Sequence, residues 1–592
     1  MNSPEDLYKN KLDEFSGQYN AIRLKLKWYG WYRFLTFLFI FFPFFFVESG
    51  WLTVISVVLL IILFFYLIKK NIQLEREKKR LEVLIKWVED EILALQHSFL
   101  HFPEGSEFLD TDHFYSYDLD LFGSGSLFQY INRTSTLSGK SLLATWMTFP
   151  LKTKNEIEAR QAAVKELAAQ PEWRLDFLTA GKLFDETQDV YNEIRSWSQS
   201  DIELKHADVI RHLIWIMPVL TLISAVPAVL GTTNLYLYAM LLTQGLLLFF
   251  FWTPVTKYYG FFGRKSELLS KYMQQLTKIG EHKFQSELLL QVQKKIKDPS
   301  AANAVKKLKS LVKEFEYRQN LLVGILLNSF LLWDIRCMFR LWQWHREYHT
   351  KLQVWLDVVA EVDALVSLSN FFNNHPGFVF PQVQEEGFEF DCTQLGHPLL
   401  HPKKRVCNNV SLDGWSQVMI VTGANMAGKS TFLRTVGVNL VLAKMGAPVC
   451  AESMCFTPVD IYTNMRTTDS LLKDESYFFA ELRRIKTVLD HLKRGERYFV
   501  ILDEMLKGTN SLDKLNGSKE LIRKLVKLQA VSLIATHDLK LSEMEKEFPR
   551  QVSNKCFEIR IENNELVFDY TLSDGVTQTM NATFLMKKMG II

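Results

Sequence analysis

The chain has 592 residues, enough for several domains that each bury a core. Its 69 basic and 66 acidic residues nearly cancel to a formal +3, so bulk charge does not announce nucleic acid; the hydrophobic 48%, including 44 Phe, is concentrated in a few segments. Six cysteines without disulfide or metal-ligand spacing exclude a disulfide-stapled scaffold and fit a reducing compartment.

No cleavage site follows the first apolar run, so a removable signal peptide is not expected. A bilayer core about 30 Å thick takes roughly 20 apolar residues in helix. Residues 28–47 meet that requirement, with Pro43 expected to kink them, and residues 51–68 ("WLTVISVVLLIILFFYLI") follow after Glu48, Ser49 and Gly50. An amphipathic helix, "NIQLEREKKRLEVLIKWVEDEILALQ", comes next. A second apolar pair, 212–231 and 234–252, is joined by a Gly-Thr-Thr turn; its internal prolines and Gln244 keep a pair of buried core helices open as the alternative.

Arg23, Lys25, Lys27 and Arg33 precede the first pair, and Lys69, Lys70 and Arg76 follow it. Lys205 and Arg211 precede the second pair, and Lys257, Arg264 and Lys265 follow it. The positive-inside rule then predicts a multi-pass protein of the cell (cytoplasmic) membrane, with the lipid bilayer as a partner and every long segment facing the cytoplasm. Trp28, Trp31, Trp51 and Tyr258 fit interfacial anchors. The shorter run "LLVGILLNSFLLW" (321–333) contains Asn328 and runs into Asp334 and Arg336, so it reads as a soluble core helix. The stretch "QKKIKDPSAANAVKKLKSLVKE" is either a solvated helix pair or a non-specific phosphate contact. "EFEY" (314–317) reads as a helix surface.

"WSQVMIVTGANMAGKSTFLRTVGVNLVLAKMG" reads as strand, glycine-bearing loop, helix. Gly423, Gly428, Lys429 and Ser430 satisfy G-x-x-x-x-G-K-[ST]: backbone N–H groups face phosphate oxygens, the lysine reaches the β/γ-phosphates, and Ser430 can ligate Mg²⁺. "YFVILDEM" (498–505) ends in Asp503, suited to hold the metal through water, and Glu504, suited to polarise an attacking water. "VSLIATHD" places His537 where it can sense a γ-phosphate. The candidate catalytic residues are therefore Glu504, Lys429 and His537, with Ser430 and Asp503 at the metal.

"TGANMAGKSTFLRTVGVNLVLAKMGAPVCAE" resembles the signature of the MutS family of ABC-type ATPases. The resemblance extends to "LGHPLL" (395–400), "DSLLKDESYFFAEL" (469–482), "LDEMLKGTNSLD" (502–513) and "ATHD" (535–538). "DLDLFGSGSLFQYINRTSTLSGKSLLATWMTFPL" and "IEARQAAVKELA" resemble the family's core or lever region. It implies ATP and Mg²⁺ as cofactors, a homodimer with nucleotide between subunits, and DNA as a partner. It also implies that Asn425, Met426 and Thr431 touch nucleotide, and that Ser476 reaches the γ-phosphate of the neighbouring subunit; Ser476 also fits a helix N-cap. Four features depart from the family pattern: Tyr477 follows Ser476 where the family has threonine, Glu475 stands for an expected glycine, "NSLDKLNGS" is extended after Gly508 and Thr509, and Val406 replaces an aromatic that stacks on adenine. The mismatch-reading domain and its Phe-x-Glu wedge are not found.

The expected fold is multidomain, with helical transmembrane hairpins, an all-α core or lever, and a C-terminal α/β P-loop domain of ABC type. The expected boundaries are 1–100 for the first hairpin and amphipathic helix, 101–205 for the first part of the core, and 206–260 for the second hairpin. Residues 261–375 complete the core or lever, and 376–592 form the ATPase domain. The expected function is ATP hydrolysis in a dimer coupled to mismatched or branched DNA. The alternative is a mechanochemical membrane ATPase acting on a protein or lipid.

Overall fold

The structure, a computed structural model, describes the chain apart from residues 1–2, 47–49, 201–202, 263–264, 298–299, 425, 467–476, 507–509, 563–564 and 579–592. Helix α1 (Pro4–Phe39) opens with a capping box, the Ser3 hydroxyl accepting from the Asp6 N–H, and with Pro4 in its first turn. It ends three residues before α2 (Pro43–Phe46). The predicted 28–47 span is thus not one helix. Pro43 has no N–H for the Phe39 carbonyl and its ring crowds that turn, so the helix stops short of it. Helix α3 (Gly50–Leu95) runs the second apolar segment and the amphipathic segment together as one 46-residue rod.

Helices α1 and α3 pack antiparallel. Phe37 meets Phe64 at 6.1 Å between ring centroids, the Tyr19 hydroxyl donates to Glu82 at 3.2 Å, and the Gln96 amide donates to Glu5 at 3.2 Å. Where the rod enters the core, the fully buried Glu91 accepts from Arg133 Nε at 2.5 Å and from Asn374 Nδ2 at 2.6 Å. The Tyr8 hydroxyl donates to Asn374 Oδ1 at 2.8 Å.

The core proper is helical: α4 (Leu127–Ile131), α5 (Leu137–Thr148), α6 (Lys154–Ala168), α7 (Pro171–Lys182) and α8 (Gln188–Gln199). Thr136 and Thr153 cap the starts of α5 and α6 through their hydroxyls. Helices α9 (Ala207–Val229) and α10 (Leu235–Phe250) form the second hairpin, and α11 (Trp252–Phe262) leaves α10 at a 58° bend. The chain returns through α12 (Ser266–Glu281), α13 (Glu287–Lys294), α14 (Ala301–Glu316) and α15 (Leu321–Leu331) to the 42-residue α16 (Trp333–Asn374). By length and composition two described helices, α3 and α9, can each cross a membrane; the bent pairs α10–α11 and α15–α16 qualify only as pairs. Helix α16 threads the core, where buried Asp363 accepts the N–H groups and hydroxyls of Ser135 and Thr136.

Two sequence readings fail here. Helix α15 is not a core helix: Leu321 and Leu322 are each 74% exposed, and it packs against α9 and α10. "EFEY" is not surface throughout: Tyr317 is 46% exposed, but Phe315 is 1% exposed within the core. The lysines at 294, 295, 306 and 307 are exposed, while Leu289, Val292, Val305 and Leu308 bury the other faces of α13 and α14.

His375 ends α16 as a neutral ring: one nitrogen faces the Phe371 carbonyl at 2.7 Å and the other the Tyr130 hydroxyl at 2.6 Å. Burial holds its pKa down to about 4, below the ordinary 6.5. Between those values the unfolded chain binds the proton and the folded chain does not, so stability should fall as pH drops from 6.5 toward 4. Urea titrations across that window should show a shallower acid loss for His375→Gln than for the parent.

After α16 the fold becomes α/β. Strands β1 (Gln382–Val383), β2 (Glu389–Leu395), β3 (Asn408–Asp413) and β5 (Ser453–Phe456) form a four-stranded sheet in the order β1-β5-β2-β3. A six-stranded sheet, ordered β10-β9-β4-β8-β7-β6, contains β4 (Val418–Gly423), β6 (Asp460–Asn464), β7 (Tyr498–Asp503), β8 (Val531–Thr536), β9 (Val552–Glu562) and β10 (Glu565–Asp574). Its pairs are parallel except β9–β10. Helices α17 (Lys429–Lys444), α18 (Tyr477–Lys493), α19 (Ser511–Lys527) and α20 (Met544–Glu547) complete the domain. Carboxyl ends of β4, β7 and β8 lie side by side, which is where such a sheet places its ligand.

Candidate active site

Strand β4 is buried at all six positions because it pairs on both edges, with β8 and β9. It ends at Gly423, with φ +156°, where a Cβ would lie 3.1 Å from the Phe557 carbonyl oxygen. Gly428, with φ +104°, opens α17; a Cβ there would lie 3.0 Å from the Tyr570 ring. Both glycines are therefore steric requirements of the loop.

Lys429 is 5% exposed, and its ammonium donates to the carbonyls of Gly423 (2.7 Å) and Ala424 (2.9 Å), arching over its own loop. Burial lowers its pKa below the ordinary lysine value, against the opposing pull of Glu504 and Asp503. The Ser430 hydroxyl donates to Asp503 Oδ2 at 2.6 Å, so the loop and the end of β7 meet directly. Glu504 takes φ +54°, which turns the chain after Asp503, and its N–H donates to the Ala535 carbonyl at 3.0 Å. His537 Nδ1 lies 3.4 Å from Glu504 Oε1.

The predicted residues thus converge. Met426, Gly428, Lys429, Ser430, Thr431 and Glu504 line one cleft of about 480 Å³. Gly423 and Asp503 join it through Lys429 and Ser430, and His537 through Glu504. Asn425, Ser476, Gly508 and Thr509 lie outside the described residues.

The cleft is also lined by Leu400, Lys404, Val406, Phe432, Phe557 and Tyr570. Val406 is the aliphatic residue noted in the sequence, and an exposed aromatic ring comes instead from Tyr570, 43% exposed and stacked on Phe568 at 5.9 Å and 14°. Nothing in the sequence motifs marks Tyr570, which reaches the loop only because β10 folds back on β9.

A second group also escaped the sequence reading. Asp118, fully buried, accepts from the Thr463 hydroxyl (2.7 Å), the Arg466 N–H (2.9 Å) and Arg484 Nη2 (3.3 Å). Asp120 takes both Arg466 guanidinium nitrogens at 2.5 and 3.0 Å and lies 3.7 Å from Arg434, on the same helix as Lys429 and Ser430. The available signal was the pair of aspartates in "DLDL". They join the helical core to the loop-bearing helix.

A family model described as MutS domain III matches residues 113–369, and one described as MutS domain V matches residues 419–587. The two together cover most of the chain. It belongs to the MutS family. Among curated relatives, the DNA mismatch repair protein MutS of Thermotoga sp. (strain RQ2) is 30% identical over 253 residues, 42% of this chain and 30% of that protein. The protein of the same name from Bacteroides fragilis is 28% identical over 306 residues, 50% of this chain and 34% of its own length. The one from Thermotoga petrophila is 33% identical over 198 residues, 33% and 25% respectively. The matched stretch spans between a quarter and about a third of these relatives. The MutS domain III match runs through the second hairpin and α15, whereas α1 and α3 lie outside both matches.

Proposed function

We propose that this MutS-family chain is a membrane-anchored ATPase that hydrolyses ATP to ADP and phosphate in a homodimer and binds DNA. The observation that carries the ATPase reading is the meeting of Ser430 and Asp503 at 2.6 Å beside Lys429 and Glu504. An ammonium on the loop suits phosphate, and a hydroxyl on a carboxylate gives the oxygen donors that Mg²⁺ takes. Mg²⁺, when bound by Ser430 and Asp503, supplies positive charge against the phosphate oxygens. Lys429 would exchange its loop carbonyls for phosphate oxygens. Glu504 would orient the attacking water and take its proton on a carboxylate oxygen, with the His537 ring holding that carboxylate in place. The resemblance of the Ser476 segment to the family signature supports a site completed by a second subunit.

Membrane anchoring is supported by apolar residues that are exposed around the hairpin helices: Ile62 60%, Leu222 65%, Leu242 67% and Phe249 80%. Water-soluble monomers rarely present apolar surface on that scale. A single cysteine at Ser49 or Thr232, with the native cysteines removed, should react with an impermeant reagent outside intact cells. Cysteines at Ser141 and Ser511 should stay unlabelled. Labelling at Ser511 from outside reverses the proposed orientation; silence at Thr232 alone removes the second hairpin as a span.

The DNA reading rests on the relatives' names, and the exposed lysines on α13 and α14 offer phosphate contacts. Neutralising Lys294, Lys295, Lys306 and Lys307 should weaken binding to matched and mismatched duplex alike and flatten the salt dependence. A mismatch preference of roughly 1–3 kcal/mol or more at fixed salt would contradict this charge-based binding. The second reading is a membrane ATPase that works on a lipid or protein without DNA. It is favoured by the way α3 is rooted in the core at Glu91. Absence of DNA binding even at low salt decides for it.

A further inference from the structure

Helix α15 has 11 residues, about 16 Å of helix, half of what a bilayer core requires. It meets α16 at a 79° bend centred on Leu332, which takes φ +45° without being glycine. Leu321, Leu322, Ile325 and Leu326 are 55–74% exposed, and this apolar surface continues onto the exposed residues of α9 and α10, against which α15 packs.

The bend carries a second, independent observation. The last carbonyls of a helix and the first N–H groups of the next have no partner within their own helices. In water the solvent satisfies them; in lipid, protein must. At this bend two side chains cover part of that need, although the Asn328 carbonyl also accepts from the Leu332 N–H at 3.3 Å. Gln244 is fully buried on α10, and its amide, turned so that both atoms have complementary partners, donates to the carbonyls of Asn328 (2.9 Å) and Ser329 (2.6 Å) while its oxygen faces the Thr221 hydroxyl. Asn328 accepts the Asp334 N–H through Oδ1 at 2.9 Å. Around the base, Arg336 lies over Trp215 at 5.1 Å, and Arg318 lies over Tyr259 at 4.7 Å while pairing with Asp334 at 3.4 Å. Aromatic rings with arginines mark the boundary between acyl chains and headgroups.

We propose that α15 is a lipid-embedded half-helix: it enters one leaflet from the cytoplasmic side beside the α9–α10 hairpin, turns its apolar side to the acyl chains, and leaves on the same side into α16. This rests on the membrane reading above and adds a further lipid contact to the two hairpins. The bilayer is favoured as occupant over a second protein chain because the apolar surface is continuous with the hairpin and because two carbonyls and one N–H at the bend are covered by side chains.

The test uses the full chain with Cys407 and Cys455 replaced by serine, the four buried cysteines retained, and one cysteine introduced at Leu322, Leu326, Leu246 or Ser310. Each is labelled with a small environment-sensitive fluorophore and reconstituted in phosphatidylcholine–phosphatidylglycerol vesicles, with and without lipids spin-labelled in the acyl chain. Labels at Leu322 and Leu326 should be quenched to within about twofold of the label at Leu246, and the one at Ser310 should not be. Quenching at Leu246 without quenching at Leu322 or Leu326 overturns the inference, places protein or water over α15, and leaves the spanning hairpin standing. No quenching at any position overturns the membrane reading and this inference together. Reaction of a cysteine at Leu322 with an impermeant reagent from outside intact cells would mean that the segment crosses, and overturns it as well.

Discussion

Glu504→Gln should leave ATP bound and slow its turnover by roughly 10²–10⁴-fold, the contribution typical of a positioned general base. The amide keeps the shape of the side chain beside Ser430 and the His537 ring but cannot take a proton from water. Lys429→Ala should act on the other side of the cycle. It removes the ammonium that now rests on the Gly423 and Ala424 carbonyls, and with it the contact to phosphate. Affinity measured with a fluorescent nucleotide and turnover measured by phosphate release separate the two. Near-normal turnover in Glu504→Gln would remove its assigned role; tight binding with normal turnover in Lys429→Ala would remove the cradle.

Glu91→Ala should destabilise the chain by about 3–5 kcal/mol, because it strands the Arg133 guanidinium without its carboxylate in a buried site. Both side chains are at most 3% exposed, and Arg133 is further enclosed by the Phe102 ring at 3.5 Å. The cost should not be read as the worth of the pair. A double replacement, Glu91→Leu with Arg133→Met, removes both charges and should recover much of the loss. Urea unfolding in detergent of the parent, the single variant and the double variant tests this. A single variant within 1 kcal/mol of the parent would mean that the pair does not anchor α3 to the core.

The nucleotide cleft was legible in the sequence because its requirements are local. A loop that turns its N–H groups toward phosphate needs Gly423 and Gly428 at positive φ, and the carboxylates must sit at a strand end, as Asp503 and Glu504 do. Tyr570 was not legible, since its approach to Gly428 depends on the β9–β10 pairing. Asp118 and Asp120 were hidden for the same reason: their partners Arg466 and Arg484 lie more than 340 residues away. Hydropathy located the apolar segments but not their environment. An 11-residue apolar helix has one composition whether protein or lipid surrounds it, so α15 could be placed only once its neighbours were known. A kink is what Pro43 suggests, yet the α-helix ends before it, Phe41 and Phe42 bonding only to carbonyls three residues back, and the rod that does continue is α3.

The unbroken length of α3 also sets an electrostatic distance. From Lys69, at the end of its apolar part, to Glu91 is about 33 Å along the helix axis. The negative potential of an anionic leaflet decays over a Debye length of about 8 Å at physiological salt. With the proposed membrane at its apolar end, four decay lengths of rod would leave almost none of that field at the junction where Glu91, Arg133 and Asn374 meet. A polyanion approaching the helical core there would feel the lysines of the protein and hardly the phosphates of the membrane. On the proposed anchoring and DNA binding, α3 would act as a spacer as well as an anchor, and shortening it would bring lipid and nucleic acid charges into competition.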